Sequence, residues 1–279
     1  MQKKSTIRLI LAVLLLTFGI TTQAEIKTIK DVLGREVNVD VPVKNAVLGF
    51  YYPDYIAVTG VENFKYVKGI SREFWEKFNP GSWALFSEKM PELKNIADIG
   101  NVNTGTFSTE KTLALKPDVL ILAEWQYQTI GSELPKLEQA GVPIIVVDFN
   151  AQSVERHTQS AKIFGQLAGT EERANKIADE YAQGIADIQK RVKEANLPKP
   201  KIYVGPSEYS FTFGKNMWGA IAETVGGDNV SAPFVENWGP INPEQLLAAQ
   251  PEVIMISGTE MGHETNNEMM AMGININEQ

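Results

Sequence analysis

An α/β fold in two lobes is expected, each lobe a mostly parallel sheet flanked by helices, with one long helix joining them. Three observations carry that expectation. Short aliphatic runs, apolar on both faces, alternate with helical patterns, as in a parallel sheet covered on each side. One long amphipathic stretch interrupts the alternation midway. Finally, "EKTLALKPDVLILA", beginning at Glu110, returns as "EQLLAAQPEVIMIS", beginning at Glu244, so each half holds a copy of the same piece.

The first 24 residues read as a secretory leader. Lys3, Lys4 and Arg8 form a positive head, residues 9–20 are almost unbroken apolar sequence, and "TTQA" offers small residues at Thr22 and Ala24 for cleavage. The apolar run is shorter than the roughly 20 residues of a spanning helix, which weighs against the alternative of a retained anchor. The chain has no cysteine, and a lipid anchor would need one at the cleavage site. The mature protein is therefore expected free in a Gram-negative periplasm, as a monomer.

A first lobe over residues 25–169 follows. Its candidate strands are "NAVLGF" (45–50), "KYVKGI" (65–70), "DVLILA" (118–123) and "PIIVVDF" (143–149), and the stretch from Arg72 to Phe86 reads as a long loop. Residues 170–197 read as the connecting helix. Thr170 is placed to cap it, and Glu171 and Glu172 suit the positive end of the helix dipole. Ala174, Ile177, Tyr181, Ile185, Ile188 and Val192 form one apolar stripe, and Asn196 with Pro198 ends the helix. Its length predicts a rod of roughly 35 Å. The second lobe, residues 198–279, restarts the alternation with "KIYVG" (201–205) and reaches the strand "EVIMIS" (252–257). The pattern then stops, so this lobe is expected to be incomplete.

Each copy of the repeat places a glutamate in the first turn of a short helix. Ser108 or Thr109 precedes Glu110, and Asn242 with Pro243 precedes Glu244. Read by itself, such an acid does no more than favour the helix dipole.

The repeat does not stand alone. With the rod between its copies, and with "DVLGREVNVDVPVKNAVLG", "FTFGKNMWGAIAETVGGDNV" and "WGPINPEQLLAAQPEVIMIS" in order, the chain resembles the periplasmic substrate-binding proteins that serve ABC importers of iron–siderophores, haem and vitamin B12. The resemblance implies two lobes at the ends of a long helix, ligand in the cleft between them, and a permease of the inner membrane as partner. It also implies that Glu110 and Glu244 are docking carboxylates, one on each lobe, that meet arginines on the permease.

Ligands of open α/β sheets bind beyond the carboxyl ends of the strands. The loops there offer Tyr51, Tyr52 and Tyr55, then Arg72 and Trp75, then Trp125 and Tyr127. From the second lobe come Tyr209, Phe211, Trp238 and His263. Core packing is the ordinary use of any one of these aromatics, but so many on successive loops suggest a binding face. Trp125, Phe211 and Trp238 also fall where the resemblance implies ligand contacts.

The net charge of −8 and the lack of a basic stripe exclude nucleic acid as partner. Two histidines are too few for a bare transition metal, and His157 lies on a helical pattern as a surface or core residue. No arginine follows residue 197, which disfavours a highly anionic chelate. A neutral or weakly charged iron chelate of the siderophore type is the expected ligand, with no resident cofactor. Haem, a corrinoid (with a tyrosine or His263 as axial ligand), or molybdate and tungstate are the alternatives within the fold. An enzyme is the alternative outside it, yet the chain has no G-x-S-x-G, Walker loop, HExxH or cysteine nucleophile.

Overall fold

The aliphatic runs of the first half assemble into one five-stranded parallel sheet in the computed structural model, which describes residues 25–206 and 211–257. The leader, Tyr209 and His263 lie outside the described residues. Strands β1 (Glu25–Lys30) and β2 (Glu36–Val41) form an antiparallel hairpin at the entrance to the lobe. The buried Asp31 carboxylate fixes its turn by accepting from the backbone of Leu33 and Arg35 and from the Arg35 guanidinium.

The sheet itself uses β3 (Ala46–Leu48), β4 (Val67–Ile70), β5 (Ala97–Asp98), β6 (Val119–Ala123) and β7 (Ile144–Val147). Their order across the sheet is β5-β4-β3-β6-β7. β3, β6 and β7 are buried along their whole length, which is why they read as continuous aliphatic runs without alternation. Helices α1 (Tyr52–Thr59), α2 (Arg72–Phe78), α3 (Pro80–Lys89), α4 (Thr109–Ala114), α5 (Glu124–Thr129), α6 (Glu133–Gln139) and α7 (Val154–Ala168) make the connections.

Two of these connections correct the sequence reading. The long loop expected from Arg72 is two helices, broken at Asn79 just before Pro80, which takes the first position of α3. Residues after Ala123 are likewise helical. There the Gln126 side chain accepts from the Ala123 amide at 3.1 Å and closes the first turn.

Helix α8 (Glu171–Ala195) is the expected connector, 25 residues or about 37 Å of helix. The expected stripe is the half that turns inward: Ala174 is buried, and Ile177, Tyr181, Ile185, Ile188 and Val192 are half-buried among exposed neighbours. Thr170 precedes the helix but makes no side-chain cap. The helix start is held instead by the ion pair of Glu171 with Lys27 at 2.9 Å. Arg173 adds bonds from its guanidinium to the Val58 and Ala57 carbonyls at the end of α1. Asn196 closes the helix in the left-handed conformation.

Beyond it, β8 (Lys201–Pro206) is the centre of a parallel sheet ordered β10-β8-β12, with β10 (Asp228–Asn229) and β12 (Val253–Ser257) at its sides. Strands β9 (Phe211–Phe213) and β11 (Trp238–Pro240) pair antiparallel, and α9 (Trp218–Thr224) and α10 (Pro243–Ala249) complete the described part of the lobe.

Candidate functional site

In the first lobe the chain runs outward from β3 in both directions, to β4 and β5 on one side and to β6 and β7 on the other. The connections leaving the carboxyl ends of β3 and β6 therefore diverge and open a crevice between them, the place where open α/β sheets hold ligands. Gln126 pins this point. Its buried side chain donates to the Gly49 carbonyl after β3 at 2.8 Å while accepting from Ala123 at the end of β6.

Phe50 is the hub of the crevice floor. Its ring meets Trp125 edge-on at 5.3 Å, Phe74 at 4.8 Å, Trp75 at 5.2 Å and Tyr51 at 5.0 Å. From the second lobe Trp238 stacks on Phe211, with centroids 4.8 Å apart and rings inclined by 21°. Their strands hold the pair in place, since β9 and β11 are hydrogen-bonded partners. Trp238 borders a cavity of about 900 Å³ between the lobes, whose other walls include Phe50, Trp125, Asn216 and Asn237. That volume lies within the range of small-molecule sites.

The electrostatics of this cavity are acidic. Glu124 and Asp148 line it, and so does one cation, Arg156. Arg156 is already committed, for its guanidinium donates to the Val32 carbonyl and lies 3.4 Å from Glu124. Burial raises the Glu124 carboxyl above its ordinary value, Arg156 works against that, and the Asp148 charge adds to it. The cavity thus presents aromatic faces and amide side chains, and no described lining residue is an uncommitted cation.

The sequence-selected residues divide. Trp125 and Trp238 line the cavity, Phe211 supports Trp238, and Tyr51 and Trp75 line an adjoining chamber. Four others are corrections. Tyr52 is fully buried among Phe64, Trp75, Trp83 and Phe86, and burial pushes its phenol up to about 12. Tyr55 is equally buried and packs on Phe164. Both lie in the first turn of helix α1, where successive side chains turn by about 100°, and of the three only Tyr51 lines the space beside the crevice. Arg72 turns to the Lys94 and Ile96 carbonyls and to Glu76. Tyr127 lies under the Arg35 guanidinium, whose carbon is 4.3 Å from its ring centre.

Sequence reasoning passed over Phe50, Phe149, Glu124 and Asp148. Phe50 and Phe149 close the quoted strand runs, so ending each strand two residues earlier would have placed both at the carboxyl edge. Among the described residues no group of three or more His, Cys, Asp or Glu could hold a metal ion.

A profile described as "Periplasmic binding protein" matches residues 80–272, well over half of the chain. The chain belongs to the periplasmic binding protein family. Among curated relatives, an uncharacterized ABC transporter substrate-binding lipoprotein of Bacillus subtilis, YvrC, is 24% identical over 168 residues. That match covers 59% of this chain and 52% of the relative. A vitamin B12-binding protein of Yersinia pestis is 25% identical over 179 residues, 64% of this chain and 61% of the relative. The chain therefore spans between about half and three fifths of these relatives' length.

Among solved structures, the TroA-like periplasmic binding protein FepB from Veillonella parvula superposes with a TM-score of 0.72 at 29% identity, covering 89% of this chain and 77% of that one. The molybdate periplasmic binding protein MolA of Haemophilus influenzae shares the fold at 17% identity and a TM-score of 0.68, covering 82% and 73%.

In this periplasmic binding protein the duplicated glutamates take equivalent positions. Each sits in the first turn of a helix that leads into a parallel strand, Glu110 through α4 into β6 and Glu244 through α10 into β12. Such helices run antiparallel to their strands, so both glutamates stand at the carboxyl edges of their sheets, the edges that border the cleft. The cap residues are Ser108, which accepts from the Lys111 amide, and Asn242, which accepts from the Glu244 amide. With the helix ends already satisfied, neither exposed carboxylate forms an ion pair among the described residues.

Proposed function

We propose that this protein is the substrate-binding component of an ABC importer, carrying an iron chelate of the siderophore type in the inter-lobe cleft to an inner-membrane permease. The observation that carries the ligand class is the make-up of the 900 Å³ cavity: aromatic rings from both lobes, amide side chains, two acids, and one arginine already engaged. A neutral or weakly cationic chelate with apolar or aromatic surface suits those walls. A triply anionic chelate or a free oxyanion would meet Glu124 and Asp148 with no uncommitted cation among the described lining residues to offset them. Membership of a family whose relatives include an ABC transporter substrate-binding lipoprotein and a vitamin B12-binding protein supports the importer role.

A flat macrocycle, haem or corrinoid, is the second reading. It is favoured by the stacked Phe211–Trp238 pair, which offers a broad face for planar stacking. Native mass spectrometry with elemental analysis of the protein from its own periplasm tests both. A single adduct with one iron and no tetrapyrrole absorption band supports the siderophore reading. A Soret or corrin band supports the second reading, and bound molybdenum without iron rejects both.

A further inference from the structure

Five of the residues that line the inter-lobe cavity carry amide side chains: Asn103, Gln128 and Asn150 from the first lobe, Asn216 and Asn237 from the second. Gln128 is committed, since its amide donates to the Glu124 carboxylate at 3.3 Å. The two from the second lobe are bonded to each other, the Asn216 amide donating to the Asn237 side-chain carbonyl at 3.0 Å. That bond leaves the Asn216 side-chain carbonyl and the Asn237 amino group with no partner among the described residues. Turning both amides over exchanges their roles and still leaves one acceptor and one donor.

The backbone holds this pair in place. The Gly214 amide donates to the Asn237 carbonyl at 2.9 Å, Lys215 to that of Val235 at 2.9 Å, and Asn216 to that of Glu236 at 2.7 Å. The two segments approach so closely that a Cβ on Gly214 would strike the Val235 carbonyl. These bonds extend the antiparallel pairing of β9 with β11, the same pairing that sets Trp238 against Phe211. Trp238 follows Asn237 directly and lines the same cavity. An amide pair fixed in this way leaves little ordering for a ligand to impose when it binds.

The chemistry of those free atoms defines what they read. A carbonyl and an amino group in one bonded pair are complemented by a group that both donates and accepts. A carboxamide or secondary amide does both. An ester only accepts, and a carboxylate would bring a further negative charge into a cavity that already holds Glu124 and Asp148. We propose that Asn216 and Asn237 are specificity-determining residues that read an amide on the rim of the ligand, while Trp238 covers its apolar face. The assignment rests on the cleft as the ligand site, and it holds for an iron chelate or a macrocycle alike.

Two matched pairs of uncharged probes test it by calorimetric titration of the full-length protein. One pair is a ferric trihydroxamate macrocycle joined by secondary amides and its counterpart joined by esters. The other is dicyanocobinamide, whose rim carries carboxamides, and the dicyano methyl ester of cobyrinic acid. In whichever class binds, the amide form should bind at least tenfold more tightly, the effect of two hydrogen bonds. Asn216→Ala and Asn237→Ala should each narrow that advantage roughly threefold to tenfold, and the double substitution should remove it. Both side chains are exposed, so neither truncation opens a cavity. Asn237→Asp, which keeps the shape and the bond from Asn216 but replaces the free donor by an acceptor, should also lower the advantage. An amide form bound no better than its ester, an advantage that survives the double substitution, or binding of neither pair would overturn the proposal. If the chelates fail to bind while dicyanocobinamide keeps its advantage, the chelate reading falls and this assignment stands; chelates bound without preference do the reverse.

Discussion

Trp238 is 55% exposed although it is one of the largest apolar side chains in the chain. Its stack on Phe211 covers one face of the indole. A ligand that covers the other face would gain a central aromatic anchor, so Trp238→Ala should weaken ligand binding by about 2 kcal/mol, roughly thirtyfold. The melting temperature of the ligand-free protein should barely move, because little buried area is lost. A sharp fall in melting temperature with unchanged affinity would make Trp238 a packing residue. Asp54 makes the opposite kind of prediction. Burial raises its carboxyl from 3.8 to about 6, so the folded state holds the proton more tightly than the unfolded chain. Stability from this group is complete below about pH 4, falls as pH rises toward 6, and stays lost above that. Asp54→Asn should therefore stabilise the protein by about 1–2 kcal/mol at pH 7.5 and by little at pH 4. Urea titrations at the two pH values check it, and an equal gain at both would contradict the assignment.

At the scale of elements, α7 and α8 approach more closely than side chains normally allow. A Cβ on Gly165 would stand 2.4 Å from the Ala174 Cβ and 3.2 Å from the Glu171 backbone, so the small pair sets the spacing of connector and lobe. Gly165→Val should cost about 1–3 kcal/mol by forcing the helices apart, seen as a lower denaturant midpoint. An unchanged midpoint would show that the connector can shift freely. Elements of this kind were unequally legible in the sequence. The buried strands and α8 could be read because burial on both faces, or on one stripe, leaves a pattern longer than local noise. The α2–α3 pair could not, because its apolar residues serve a crevice as well as a core and blur the helical period. Tyr51, Tyr52 and Tyr55 were equivalent by position, and only the rotation of α1 separates the one that faces the crevice. Phe50 and Asp148 were hidden by a different cause: an aromatic residue two positions past each buried strand, Phe50 after Leu48 and Phe149 after Val147, made the apolar run read on beyond the true strand end.

For the whole molecule, the duplicated glutamates stand on the same edge of two lobes joined by a stiff helix. If they are the docking pair, their spacing reports how the lobes are placed, and a permease that reads both carboxylates distinguishes one arrangement of lobes from another. Glu110→Ala combined with Glu244→Ala should leave ligand affinity in solution unchanged and abolish uptake through the cognate permease. Equal loss of soluble binding would return both residues to the fold or the pocket. The central claim, that the cleft carries an uncharged or weakly charged iron chelate, is tested most directly by equilibrium titration of the full-length protein with ferric chelates of graded charge, read by tryptophan fluorescence. The account predicts tight binding of a neutral ferric trihydroxamate and at least tenfold weaker binding of a triply anionic ferric tricatecholate. Tighter binding of the trianion, or of molybdate, would contradict it.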